Sequence, residues 1–159
     1  LCSTLSKLFP LIPNSNNKQR NSMSILKQHL NKVPPNATNG GIFYKNFFMN
    51  VPPSYTKFFG YDHINPAEVP SNPKFQKLGE DFLKQMNIFV DKVGKEEDLK
   101  NEVKKLVVGH KAFKVGVNEF KNAGPAFMKF MEAQAGMSAE QKKAWEDFFT
   151  KFIELASLF

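Results

Sequence analysis

The sequence predicts an all-α domain of about seven or eight helices, and three observations carry that prediction. Apolar residues recur at helical spacing along most of the chain, as in "VKKLVVGHKAFKVGVNEF". Proline pairs and Asn-Pro pairs divide these runs into segments of helix length. No stretch alternates apolar and polar residues long enough to predict a strand. A chain of 159 residues is of single-domain size.

The first half of the chain gives three elements in order. Residues 1–21 include "PLIPNSNNKQRN" and are predicted to form a loosely ordered extension, with the folded domain at 22–159. "SILKQHLNKV" has apolar residues at helical spacing and ends before a proline pair, which predicts a short amphipathic helix. "NGGIFYKNFFMNV" predicts the next helix. Pro52 and Pro53 end it and must begin a new element.

The second half shows clearer helix starts. Asn65-Pro66 and Asn72-Pro73 each place a capping side chain before a proline at the first helical position. The second pair opens the long run "PKFQKLGEDFLKQMNIFVDKV". Ser138 and Gln141 have the spacing of a capping box for a last helix that carries Trp145.

His110 is the candidate ligand that the residues themselves single out. Leu99, Val103, Leu106, Val107 and His110 share one helix face, with lysines on the other side. Two interpretations follow, a core histidine hydrogen-bonded to a neighbour or a metal ligand. The other histidines, His29 on a polar part of the first helix and His63 in a loop, are predicted to be solvated.

Composition limits the classes of function. Seventeen of 21 aromatic residues are Phe, which fits either a Phe-packed core or a pocket for a flat ligand. The formal charge of +7 is spread along the chain and Arg20 is the single arginine, so nucleic-acid recognition is not predicted, nor is membrane-surface binding favoured. Cys2 alone forms no internal disulfide and no CxxC site. We expect a cytoplasmic location, with an extracellular one left open.

Four stretches, in this order and spacing, resemble the globin family, and most closely its nematode type. They are "NGGIFYKNFFMNVPPSYTKFF", "VPSNPKFQKLGEDFL", "VVGHKAFKVGVNEF" and "MSAEQKKAWEDFF". The resemblance covers about residues 22–157. It implies a globin fold around haem b, with O2 and other diatomic gases as partners; it leaves the oligomeric state open.

The resemblance also implies roles for single residues. His110 matches the proximal histidine that bonds haem iron in globins, and Tyr44 matches the tyrosine above the iron. Phe58 matches the ring that packs on the haem plane, with a one-residue ambiguity towards Phe59. Lys114 is the candidate partner of a haem propionate, because Asp81 stands where a cation is common. The remaining implied haem contacts are Leu78, Phe82, Leu106, Val115 and Phe120.

Two of these positions depart from the family pattern. Leu78 stands where a distal His or Gln is usual and can neither coordinate iron nor donate a hydrogen bond. Phe82 stands where a smaller aliphatic residue is common. Tyr44 is therefore the expected donor to a bound gas, unless Phe82 crowds the pocket and pushes Tyr44 aside.

Three functions fit these residues. The first is reversible O2 binding for storage, transport or buffering. The second is a redox or nitric-oxide-handling globin, although no distal acid–base pair or catalytic dyad supports an enzyme. The third is a haem-free interaction module that uses the positive charge. The sequence favours the first and predicts a binding protein without enzymatic activity.

Overall fold

The structure is a computed structural model that describes residues 15–159, and within that range it contains eight helical segments and no strand. The all-α prediction is confirmed. The six α-helices are α1 (Ser15–Leu30), α2 (Ala37–Asn50), α3 (Pro73–Asp91), α4 (Glu96–Lys111), α5 (Val117–Ala135) and α6 (Ala139–Ala156). Two 3₁₀ helices, Pro53–Phe59 and Pro66–Ser71, lie between α2 and α3.

Local sequence signals set where the helices begin. The Asn72 side chain accepts a hydrogen bond from the Lys74 amide at the start of α3, and Asn65 does the same for the amide of Ala67. Ser138 and Gln141 form the predicted capping box of α6. Each cap satisfies amide groups that have no partner inside their own helix, which stabilises that end by about 1 kcal/mol.

Helix α1 begins earlier than the sequence predicts. It starts at Ser15, so residues 15–21 are helical and only residues 1–14 of the predicted extension lie outside the described range. The prediction missed this first part of α1 because the stretch is polar and exposed. A helix end without an apolar face leaves no periodic signal in the sequence.

The crossing of α2 and α3 depends on two glycines. A Cβ atom added to Gly79 would lie 2.1 Å from the carbonyl oxygen of Gly40, and one added to Gly40 would lie 2.4 Å from that of Gln76. Any side chain at either position would force the helices apart. This close approach fixes the spacing of α2 and α3, which together form one wall of the cavity described below.

His29 is buried, so its predicted solvent exposure is wrong, whereas His63 is exposed as expected. The Nε2 of His29 lies 2.7 Å from the carbonyl oxygen of Gly136, and its Nδ1 lies 3.0 Å from the indole Nε1 of Trp145. A carbonyl only accepts, so Nε2 carries the proton and Nδ1 accepts from Trp145. The ring therefore joins α1 to α6 and to the turn before it.

Helix α6 packs against α1, α4 and α5 and brings its apolar face into the centre of the molecule. Trp145, Phe127, Phe130 and Met131 are completely buried there. None of the helices between Ser15 and Phe159 combines the length and the apolarity needed to cross a membrane.

Candidate functional site

A cavity of about 370 Å³ lies between α2, α3, α4, α5 and α6 and the 3₁₀ helix Pro53–Phe59. This volume falls in the range of roughly 300–1,000 Å³ typical of ligand pockets. Its wall is mainly aromatic and includes ten phenylalanines: Phe43, Phe47, Phe58, Phe59, Phe82, Phe89, Phe120, Phe148, Phe149 and Phe152. Much of the Phe content therefore serves a pocket as well as a core.

Helix α4 directs one imidazole at this cavity. Leu99, Val103 and Val107 bury the same face of α4, and His110 follows near its end as part of the cavity wall. The Nδ1 of His110 donates a hydrogen bond of 2.8 Å to the carbonyl oxygen of Leu106. Because that bond places the proton on Nδ1, Nε2 carries a lone pair at the opposite edge of the ring, and no group of residues 15–159 donates to it.

Aromatic contact fixes the His110 ring in addition to its hydrogen bond. The ring of Phe120 meets it edge-on, with centroids 5.5 Å apart and an angle of 69° between the planes. Phe120 in turn contacts Phe152 on α6 at 5.9 Å. An imidazole held by a hydrogen bond at Nδ1 and by ring packing keeps one orientation, and its Nε2 therefore keeps one direction, as metal coordination would require.

Tyr44 presents a hydroxyl from α2, on another wall of the cavity. Its ring is held between Phe43 at 5.0 Å, Phe59 at 5.4 Å and Phe75 at 5.5 Å. Burial raises the pKa of Tyr44 far above its ordinary value, so the hydroxyl stays protonated and able to donate.

Leu78 and Phe82 line the cavity from α3. The Phe82 ring is stacked flat on Phe43, with centroids 4.2 Å apart and planes 6° from parallel. Its position is therefore set by Phe43. Among the described residues, the Phe82 ring does not lie in close contact with the Tyr44 ring. This arrangement does not support the alternative in which Phe82 pushes Tyr44 aside.

The other predicted site residues divide into two groups. Leu106, Val115 and both Phe58 and Phe59 lie in the cavity wall. The two phenylalanines have different neighbours, since Phe58 packs on Tyr55 while Phe59 packs on Tyr44. Lys114 is exposed, lies outside the wall and adopts a left-handed backbone with φ of 60°.

Sequence reasoning missed several residues of the wall. Phe89 lies on the same apolar stripe of α3 as Leu78 and Phe82, although it was not predicted as a site residue, and Gln85 follows Phe82 at a spacing of three, so the helical period could have identified it. Tyr55 is less predictable, because its hydroxyl accepts a hydrogen bond of 2.6 Å from the side chain of Asn122 on α5, 67 residues away. Such a long-range pair leaves no local pattern.

Known proteins resemble this chain in sequence and in fold. The globin family model matches residues 42–155. A myoglobin of Nippostrongylus brasiliensis is 27% identical over 116 residues, which are 73% of this chain and 75% of that protein. Hemoglobin-3 of Phacoides pectinatus is 25% identical over 125 residues, covering 77% and 82%.

Solved structures support the same fold. A globin-like protein of C. elegans superposes with a TM-score of 0.82 at 20% identity, covering 88% of this chain and 92% of that chain. The hemoglobin of the botfly Gasterophilus intestinalis gives a TM-score of 0.69 at 17% identity, covering 90% and 94%. At these identities the similarity concerns the fold alone.

Proposed function

This chain belongs to the globin family, and from that premise we propose that it binds haem b through His110 and uses it to bind O2 reversibly. Membership in the family already implies haem binding. The observation that carries the finer proposal is the single imidazole in an aromatic cavity, with Nδ1 bonded to the Leu106 carbonyl and Nε2 free.

The residues of the cavity fit such a cofactor. Neutral imidazole is a common ligand of iron, and Nε2 of His110 is available for that bond. Flat, apolar rings on most sides match the faces of a flat, apolar macrocycle. Phe58 or Phe59 is the ring proposed to pack against the plane of the haem. Leu106, Val115 and Phe120 are proposed to contact the haem on the side of His110.

When bound, the cofactor would supply an iron atom at a position where a diatomic gas could bind. The chain contributes three things around that position. Its phenylalanine wall excludes water, which strengthens any hydrogen bond inside. Leu78 neither coordinates nor donates, so it leaves the position open. Tyr44 would supply a hydroxyl able to donate a hydrogen bond to O2.

Globins are generally non-enzymatic oxygen-binding proteins, and we assign this chain to that kind. Storage, transport and buffering of O2 require the same site chemistry. Lys114 remains the proposed propionate partner, reaching from the exposed corner after α4.

Absorption spectroscopy tests the cofactor. Haem added to the purified chain should give a Soret band at a stoichiometry of one, and CO should shift the band of the ferrous form. A chain that takes up no haem under these conditions contradicts the proposal.

Rapid-mixing kinetics test the role of Tyr44. A hydrogen bond in a dry pocket is worth about 1–3 kcal/mol, so Tyr44→Phe should release O2 about tenfold to a hundredfold faster. CO is less polar when bound, so its release should change only several-fold.

Tyr55→Phe is the matched control, because the Tyr55 hydroxyl also lies in the wall but is already bonded to Asn122. It should leave the release of both gases nearly unchanged. If Tyr44→Phe and wild type release O2 within about a factor of two of each other, the hydroxyl has no part in O2 binding.

A further inference from the structure

Phe149 separates two spaces. On one side its ring lines the central cavity, and on the other it lines an open groove of about 460 Å³ between α5 and α6. Among residues 15–159, Phe149 alone lines both spaces. At this point the wall between the cavity and the outside of the molecule is a single aromatic ring thick.

Apolar and charged residues both line the groove. The apolar ones beside Phe149 are Gly124, Pro125, Met128 and Ile153, and the polar or charged ones are Lys121, Glu146, Thr150 and Glu154. Elsewhere the cavity wall includes the exposed carboxylate of Asp81, which is paired with Lys77. Free diatomic gases carry almost no charge separation, so they can pass the apolar residues beside Phe149 without displacing the ion pair of Asp81 and Lys77.

Helix α5 is built to leave space for this ring. A Cβ atom at Gly124 would lie 3.0 Å from Cγ of Phe149, so any larger residue would press on the ring. Pro125, the next residue, has no amide hydrogen and removes one backbone hydrogen bond from the middle of α5. Both features weaken α5 where it faces Phe149.

Phe148, the residue before Phe149, lines the cavity but not the groove. It is 5% exposed. Both rings pack against Trp145, Phe148 at 5.7 Å and Phe149 at 5.9 Å between centroids. Phe148 therefore offers a control that shares the helix, the residue type and the contact with Trp145.

We propose that Phe149 is the gate of a route by which diatomic gases enter and leave the cavity between α5 and α6. Rotation of a partly exposed side chain takes picoseconds to nanoseconds, fast enough to admit a gas molecule. The proposal rests on the proposed function, since it assumes that gases are the ligands of the cavity.

Flash photolysis of the CO complex tests the gate in the haem-loaded protein. Phe149→Leu opens the ring-thick wall and should raise the bimolecular rate of CO association by about threefold or more, which is about 0.65 kcal/mol in the barrier. Phe148→Leu removes the same atoms from the cavity wall but joins no groove to the cavity, so its effect measures the loss of cavity packing alone and should be clearly smaller than that of Phe149→Leu. Adding Met128→Trp to Phe149→Leu fills the groove and should reverse the gain.

Quenching of Trp145 emission by O2 gives a second reading that needs no haem. Trp145 is the single tryptophan of the chain and is completely buried beside both rings. In the haem-free full-length chain, Phe149→Leu should raise the quenching constant by about threefold or more and Phe148→Leu should raise it much less. This result would support the gate even in a chain that failed to bind haem.

Equal effects of the two substitutions, in CO association or in quenching, would overturn the proposal. Gas would then reach the cavity by general loosening of α6 or by another path. Circular dichroism of each variant checks that neither substitution has unfolded the helix.

Discussion

His29 and His110 both point from a helix into the protein, but their ring nitrogens are used differently. In His29 both nitrogens are bonded to protein, one to the Gly136 carbonyl and one to the Trp145 indole. In His110 only Nδ1 is bonded to a protein group among residues 15–159, to its own helix at Leu106. The region around His29 is closed and fully buried, whereas His110 stands at the edge of a cavity.

This difference separates a structural histidine from a ligand better than burial does. His29 is the more buried of the two, yet it has no lone pair left for a metal, because its Nδ1 pair already accepts from Trp145. His110 is less buried and keeps a free lone pair. The unused nitrogen, and not the depth of the ring, distinguishes the proposed ligand from the structural histidine.

Removal of each ring from the haem-free protein should have very different effects on stability. His29→Ala empties a buried position and leaves the Trp145 N–H without an acceptor, so we expect a loss of about 2–5 kcal/mol in the free energy of unfolding. His110→Ala loses one partly exposed hydrogen bond, at a cost of about 0.5–1.5 kcal/mol. Urea unfolding of both variants measures the difference. Equal losses of unfolding free energy in the two variants would show that the two histidines do not differ in their contribution to stability.

Trp145→Phe tests the hydrogen bond from the Trp145 indole to His29 in the closed region. It keeps an aromatic ring but removes the donor to Nδ1 of His29, and an unsatisfied buried acceptor costs about 1–3 kcal/mol. The same substitution in a His29→Ala background should cost less, since no acceptor is then left unpaired. A purely additive double-mutant cycle would contradict this bond, since it would show no coupling energy between His29 and Trp145.

Lowering the pH should decrease the free energy of unfolding through the protonation of His29. Burial, together with the charge of Lys32, lowers the pKa of His29 despite its bond to Gly136. The unfolded chain then takes up a proton near pH 6.5 that the folded chain does not, so stability falls as pH decreases below about 6.5, by at most about 1.4 kcal/mol per pH unit. Above that pH the contribution is fully present.

His29→Gln should remove this part of the pH dependence. Glutamine has both a donor and an acceptor but no proton to gain in this range. The stability difference between wild type and variant, measured by urea unfolding from pH 7.5 to 5, should narrow as the pH falls. If this difference in unfolding free energy stays constant across the range, the folded and unfolded chains take up the proton of His29 at the same pH, which contradicts the prediction.

The helices were predictable from sequence because their signals are local. Asn65 and Asn72 cap the segments that follow them, and Ser138 forms its capping box within three residues. The start of α1 at Ser15 was not predictable, since its first turns are exposed on all sides and carry no apolar period.

The site was predictable where one helix face defines it and not where distant elements meet. The spacing of Val103, Val107 and His110 is sufficient by itself to place the imidazole on the inner face of α4. His29 was missed because its partners lie 107 and 116 residues away. The position of Phe149 between two spaces likewise depends on how α5 and α6 pack.

The role of His110 has the most direct test in the haem spectrum of His110→Ala. If Nε2 of His110 holds the cofactor, the variant should lose the wild-type Soret position and much of its haem affinity. Free imidazole should partly restore both, because the space left is about the size of a ring. His63→Ala, which alters an exposed loop, should behave as wild type. A His110→Ala protein that keeps the wild-type Soret position and haem affinity would contradict the assignment.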